Sequence, residues 1–135
     1  MIQINQTYTY DFKFSQEDVN LFAEVTGDKN LVHLNSDFAS KTVFKRPIIH
    51  GMLGASVFSK VFGVMFPGEG TIYLKQSLNF LRPLYVDVDY EAVFTVTEVI
   101  SKKNTAIIET IVKNKLTGKL CLNGEASIMN EDKIK

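Results

Sequence analysis

The chain has 135 residues, 45% of them hydrophobic and 22% charged, and its formal net charge is zero. This is one domain's worth of chain (residues 1–135) with enough apolar residues for one continuous core, which excludes a disordered protein. A neutral chain carries no broad electrostatic footprint for nucleic acid or an anionic membrane, so no partner of either kind is expected.

Thr7 to Phe14 alternates Tyr8, Tyr10, Phe12 and Phe14 with Thr7, Thr9, Asp11 and Lys13, a period-two strand pattern. The opening MIQINQTYTYDFKF lacks the basic-then-apolar order of a secretion signal, and a cytoplasmic protein is expected. Ser15-Gln-Glu-Asp18 is a capping-box variant, and Val19, Phe22, Ala23 and Val25 follow at near-helical spacing. The spacing predicts a helix from Gln16 to Val25 that Gly27 stops in left-handed geometry. From Gly27 to Arg46 the pattern is irregular, with Ser36-Asp37 placed to cap one helical turn.

After His50-Gly51 comes a run that is apolar on most sides, from Met52 through Phe58 and Phe62 to Met65. A helix apolar nearly all round is buried, so it is expected to be wrapped by sheet. The whole apolar-rich run, Ile48 to Phe66, is broken by His50, Ser56, Ser59 and Lys60 and makes a poor membrane span. Pro67-Gly-Glu-Gly70 ends it. Four alternating segments follow, from Ile72 to Phe80, Val86 to Val99, Asn104 to Asn114 and Leu120 to Ile128. The single cysteine, Cys121, falls in the last and reads as a half-buried thiol. The tail from Glu131 is expected to fray. One buried helix with a curled antiparallel sheet is α+β. An open sheet leaves an edge strand to cover, so a homodimer is expected.

Asp28 and His33 are the first candidates for chemistry. Five residues apart on a turn-rich loop, they can converge as an acid/base pair, one group taking a proton from water while the other gives one or holds the water. The spacing alone also admits a turn-capping acid and a satisfied loop histidine, since such pairs are common by accident. Gly51 opens the buried helix, where unpaired N–H groups and a positive dipole end could receive a developing oxyanion. The alternative is an N-cap histidine followed by a packing glycine. Ser56 and Ser59 need partners on a buried helix, and the carbonyl one turn back serves Ser56. With two histidines and one cysteine, no metal set is evident, and no phosphate loop or G-x-S-x-G setting occurs.

Thr26-Gly-Asp-Lys-Asn30, His33, Arg46-Pro-Ile-Ile-His-Gly-Met52, Ser56 and Ser59 together resemble the hydratase signature of the MaoC-like family. The narrower resemblance is to its short, single-domain (R)-specific enoyl-CoA hydratases. It continues through Pro67-Gly-Glu-Gly-Thr-Ile-Tyr-Leu74 to Gly124-Glu-Ala126 and covers nearly the whole chain. The resemblance implies a hot-dog fold, a dimer, and syn hydration of a trans-2-enoyl-CoA thioester to the (R)-3-hydroxyacyl-CoA without a cofactor. It implies that Asp28 and His33 activate the water, that Gly51 binds the thioester carbonyl and that Ser59 orients the acid. Asn30 belongs to the same loop signature. Phe62, three residues past Ser59, would share its face and shorten the acyl tunnel, giving a preference for crotonyl- or hexenoyl-sized chains. The family usually has proline where this chain has Leu31, which implies a looser loop. Three rivals remain: a dehydratase of 3-hydroxyacyl-carrier-protein substrates, a hot-dog acyl-CoA thioesterase and a non-catalytic acyl-CoA sensor. The thioesterase would place a carboxylate on the central helix, and no Asp or Glu lies between His50 and Phe66. The sensor would not need the acid/base pair.

Overall fold

A computed structural model describes all 135 residues. Strand β1 (Thr7–Phe12) turns its aromatic residues toward the core and its polar ones to water. The Ser15 hydroxyl accepts from Asp18 N–H at 3.1 Å, and the Asp18 carboxylate accepts from Ser15 N–H at 2.9 Å. This capping box starts helix α1 (Gln16–Thr26), which Gly27 ends at φ 79°.

Two single-turn helices follow, α2 (Leu31–Leu34) and α3 (Ser36–Ser40). Asn30 caps α2, which the irregular pattern hid, and Asn35 rather than Ser36 caps α3 through Phe38 N–H at 2.9 Å. Helix α4 (Gly51–Val64) crosses the concave side of the sheet, and the rings of Phe58 and Phe62 meet Phe94 edge-on at 5.7 and 5.3 Å.

The sheet is antiparallel. It comprises β2 (Ile72–Gln76), β3 (Asn79–Phe80), β4 (Tyr90–Ile100), β5 (Thr105–Asn114) and β6 (Leu120–Met129), in the order β1-β4-β5-β6-β2. Strand β3 also pairs with β6, so the expected Ile72–Phe80 strand is real but broken at Ser77-Leu78. The break lies opposite Gly124, where a Cβ would stand 1.8 Å from the Ser77 carbonyl oxygen. Only a residue without a side chain lets the chain pass that close. Strand β4 starts at Tyr90 and not at Val86, because Asp87 takes φ 58° and hydrogen-bonds back to the Phe14 carbonyl. The expected inner face of β5 (Ala106, Ile108, Thr110, Val112) is buried throughout.

Two expectations need correction. The tail does not fray: Ile134 is fully buried, and its carbonyl accepts from the Asn104 side chain at 2.7 Å. Nor is α4 wrapped on all sides, since Met52, Ser56, Ser59, Lys60 and Gly63 form an exposed stripe. One sheet covers only the face of a helix that it touches. Among all the helices, none is long and apolar enough to cross a membrane.

Candidate active site

The loop between α1 and α2 is ordered by its own side chains. Thr26 Oγ1 accepts from Asp28 N–H, Asp28 Oδ1 from Asn30 N–H, and Asn30 Oδ1 from Val32 N–H, at 3.2, 3.3 and 3.1 Å. Asx turns of this kind substitute for backbone pairing where no regular element exists. The single turn of α2 then delivers His33 into the protein, and Gln16 of α1 donates to its carbonyl at 3.0 Å.

His33 Nδ1–H donates to the Ile48 carbonyl at 2.7 Å, while Ile48 N–H donates to the Val32 carbonyl at 3.1 Å. The carbonyl fixes the tautomer and leaves Nε2 with a free lone pair. Burial pushes the His33 pKa below its ordinary 6.5; the Ile48 carbonyl and Asp28 oppose this, and His50 adds to it. A neutral imidazole with a free nitrogen is a base.

His50 lies against His33, ring centroids 3.9 Å apart and planes 28° apart, and its Nε2–H donates to the Asp28 carbonyl at 2.9 Å. A carboxylate oxygen of Asp28 and one ring nitrogen of each histidine lie within 4.8 Å of one another. Stacked rings send their in-plane lone pairs nearly side by side rather than toward one ion, so this cluster suits proton transfer better than metal ligation.

Gly51 is the first residue of α4, and its N–H donates to no protein group. A Cβ on Gly51 would lie 2.6 Å from the Phe80 ring, so the absence of a side chain is what lets β3 close over the helix start. Asp28, His33 and Gly51 all open onto one cavity of about 640 Å³, whose apolar walls include Phe22, Met52, Phe80, Leu84 and Leu122. Arg82 stands in its lining, donating to the Leu120 carbonyl at 2.7 Å.

Asp28, His33 and Gly51 are thus brought to one cavity, whereas Asn30 is exposed outside its lining, where its side chain caps α2 and its N–H donates to Asp28. Ser59 and Phe62 lie outside the lining as well. Ser59 is exposed, eight residues along α4 from Gly51, or about 12 Å at the helical rise, and makes no hydrogen bond to Asp28. Phe62 is 1% exposed and does not share the Ser59 face; its ring is wedged between Tyr73 and Phe94 and lies outside the cavity lining. Residues three apart on a helix differ by about 60° in direction, enough to put one in water and the other in the core. Ser56 donates to Leu53, in the preceding turn, as expected. Sequence reasoning took His50 only as an N-cap and missed its stack on His33. The two are seventeen residues apart in sequence, and no local pattern reports such a contact.

An antiparallel sheet curled over a central helix, with the site at that helix's N-terminus, defines the hot-dog class. The profile described as "MaoC like domain" matches residues 2–119, and the chain belongs to the MaoC-like family. It is similar to the (R)-specific enoyl-CoA hydratase of Rhodospirillum rubrum, 40% identical over 115 residues, which are 85% of this chain and 78% of that protein. It is similar also to the (R)-specific enoyl-CoA hydratase of Aeromonas caviae, 38% identical over 127 residues and 94% of each chain. The solved structure of the A. caviae (R)-hydratase involved in PHA biosynthesis superposes with a TM-score of 0.91 at 37% identity, covering 96% of this chain and 97% of that one.

Proposed function

We propose that the protein is an (R)-specific enoyl-CoA hydratase, a hydro-lyase that reversibly adds water to a short trans-2-enoyl-CoA. The observation that carries this reading is that Asp28, His33 and Gly51, whose N–H is free, all line one apolar cavity. Two hydrogen bonds of about 2.8 Å meeting at a tetrahedral oxygen span roughly 4.6 Å, and the Asp28 carboxylate and the His33 ring lie within 4.8 Å of each other, so both groups are within reach of one water oxygen. The thioester carbonyl oxygen takes the Gly51 N–H, which draws electrons from C2=C3 toward oxygen. The water oxygen bonds to C3 as the Asp28–His33 pair takes one of its protons, and an enolate forms at the carbonyl. The pair then returns a proton to C2, so the net change is one water added across one double bond. Delivery of both groups from one side is syn addition, and the (R) outcome is that of the named relatives.

The apolar walls suit an acyl chain of crotonyl or hexenoyl size, and Phe62 is not among the residues that line them. Ser59 faces outward from its own protomer. It therefore has no part in holding this chain's Asp28. A homodimer in the cytoplasm is the working form. Its support is the apolar edge strand β2, where Ile72 and Leu74 are 50% and 51% exposed.

The test is the loss of conjugated enoyl-thioester absorbance with crotonyl-CoA, run beside Asp28→Asn. Hydration that falls by about 10²–10⁴-fold in the variant fits an acid/base role. The product should then be oxidised by an (R)-specific 3-hydroxyacyl-CoA dehydrogenase. No absorbance loss with crotonyl- or hexenoyl-CoA, from a folded protein, would transfer the assignment to carrier-protein thioesters.

A further inference from the structure

His50 takes no part in the hydration steps above, yet it is the least accounted-for polar side chain in the protein. It is 2% exposed, and its Nδ1 is buried without a hydrogen-bond partner. A buried acceptor left unpaired is a standing cost that asks for a reason. Helix capping is not the reason: the His50 side chain makes no capping bond to α4, and asparagine or serine would cap better.

What the ring does is join two parts of the site. Its Nε2–H donates to the Asp28 carbonyl at 2.9 Å, one face lies on His33 at 3.9 Å, and Phe22 packs at 4.9 Å. The other hydrogen bonds of the 27–30 loop run to Thr26, within the loop itself, or to its own flanking helices. The His50 bond is the one that ties the loop to the start of α4. We propose that His50 is a positioning residue that clamps the Asp28 main chain to the N-terminus of α4, and so sets the separation between the water-holding carboxylate and the Gly51 N–H. The catalytic part of this proposal rests on the hydratase reading. The clamp itself does not.

Reaction rates are steep in such separations, since a displacement of about 1 Å can cost about 10²-fold. The test compares His50→Asn, whose amide is too short to reach Asp28, with His50→Gln, whose amide nitrogen sits near the place of Nε2. Asparagine also caps helices well, so α4 keeps its start. His50→Asn is expected to lower kcat for crotonyl-CoA by about 10–100-fold with KM within about threefold, and His50→Gln to recover to within about fivefold of the parent. In parallel, tryptic cleavage after the exposed Lys29 is expected to accelerate in His50→Asn and not in His50→Gln.

Wild-type kcat and unchanged cleavage in a folded His50→Asn would overturn the proposal, as would an equal loss in both variants. If the parent protein does not hydrate crotonyl-CoA, the hydratase reading has failed, and the cleavage comparison still decides the clamp. Should thermal unfolding show that His50→Asn does not fold, His50→Phe, which keeps a ring on His33 without the donor, takes its place.

Discussion

His33 has one nitrogen committed to the Ile48 carbonyl and one free, and its burial sets the pH range in which the free one works. A base acts deprotonated, and the His33 pKa lies below 6.5. The acid limb of kcat/KM is therefore expected below pH 6.5, and a limb above that value would contradict the burial argument. The same shift bears on stability. Below pH 6.5 the unfolded chain protonates His33 while the folded chain does not, so the contribution of His33 is present above 6.5 and is lost as pH falls through its folded pKa. The thermal midpoint should fall across that window, and less so in His33→Asn. Scanning calorimetry of the two proteins between neutral and mildly acid pH measures the difference.

At the scale of elements, two short stretches decide how the site is held. Leu31 is the first residue of α2, its N–H donates to no protein group, and Asn30 before it sits at φ −59°, ψ 128°. That is the extended geometry proline requires of its predecessor, and the first helical position is the one proline tolerates. Leu31→Pro is expected to raise stability by about 0.4–1 kcal/mol with activity at least retained, as read by urea unfolding and the crotonyl-CoA assay. The second stretch is β6 at Gly124. Gly124→Ala would drive a methyl into the Ser77 carbonyl, which is backbone and cannot swing aside. A loss of about 3 kcal/mol or more in urea unfolding is expected, at the upper end of overpacking costs.

For the whole molecule, the unfilled requirement is cover for the β2 edge and the bare stripe of α4. An edge strand with exposed Ile72 and Leu74 is a template for pairing, and a second copy satisfies it symmetrically. Light scattering should give twice the 15.2 kDa chain mass. Leu74, which is skipped in the pairing of β2 with β6, is half exposed, so Leu74→Glu should disturb a dimer face without breaking the ladder. A folded Leu74→Glu with an undiminished dimer mass would place the interface elsewhere.

Local chemistry was legible in the sequence because its signals are short in range. Ser15-x-x-Asp18 and Gly27 bounded α1, period-two alternation marked β5 and β6, and Asp28, His33 and Gly51 stood out by type and position, with Asn30 added only by the family resemblance. Tertiary structure alone decided the stack of His50 on His33, the docking of Ile134, the break in the β2–β3 strand and the opposite fates of Ser59 and Phe62. Each depends on what another part of the chain places nearby. Periodicity tells which residues share a face, whereas whether that face meets sheet, cavity or water is set by contacts between residues far apart in sequence.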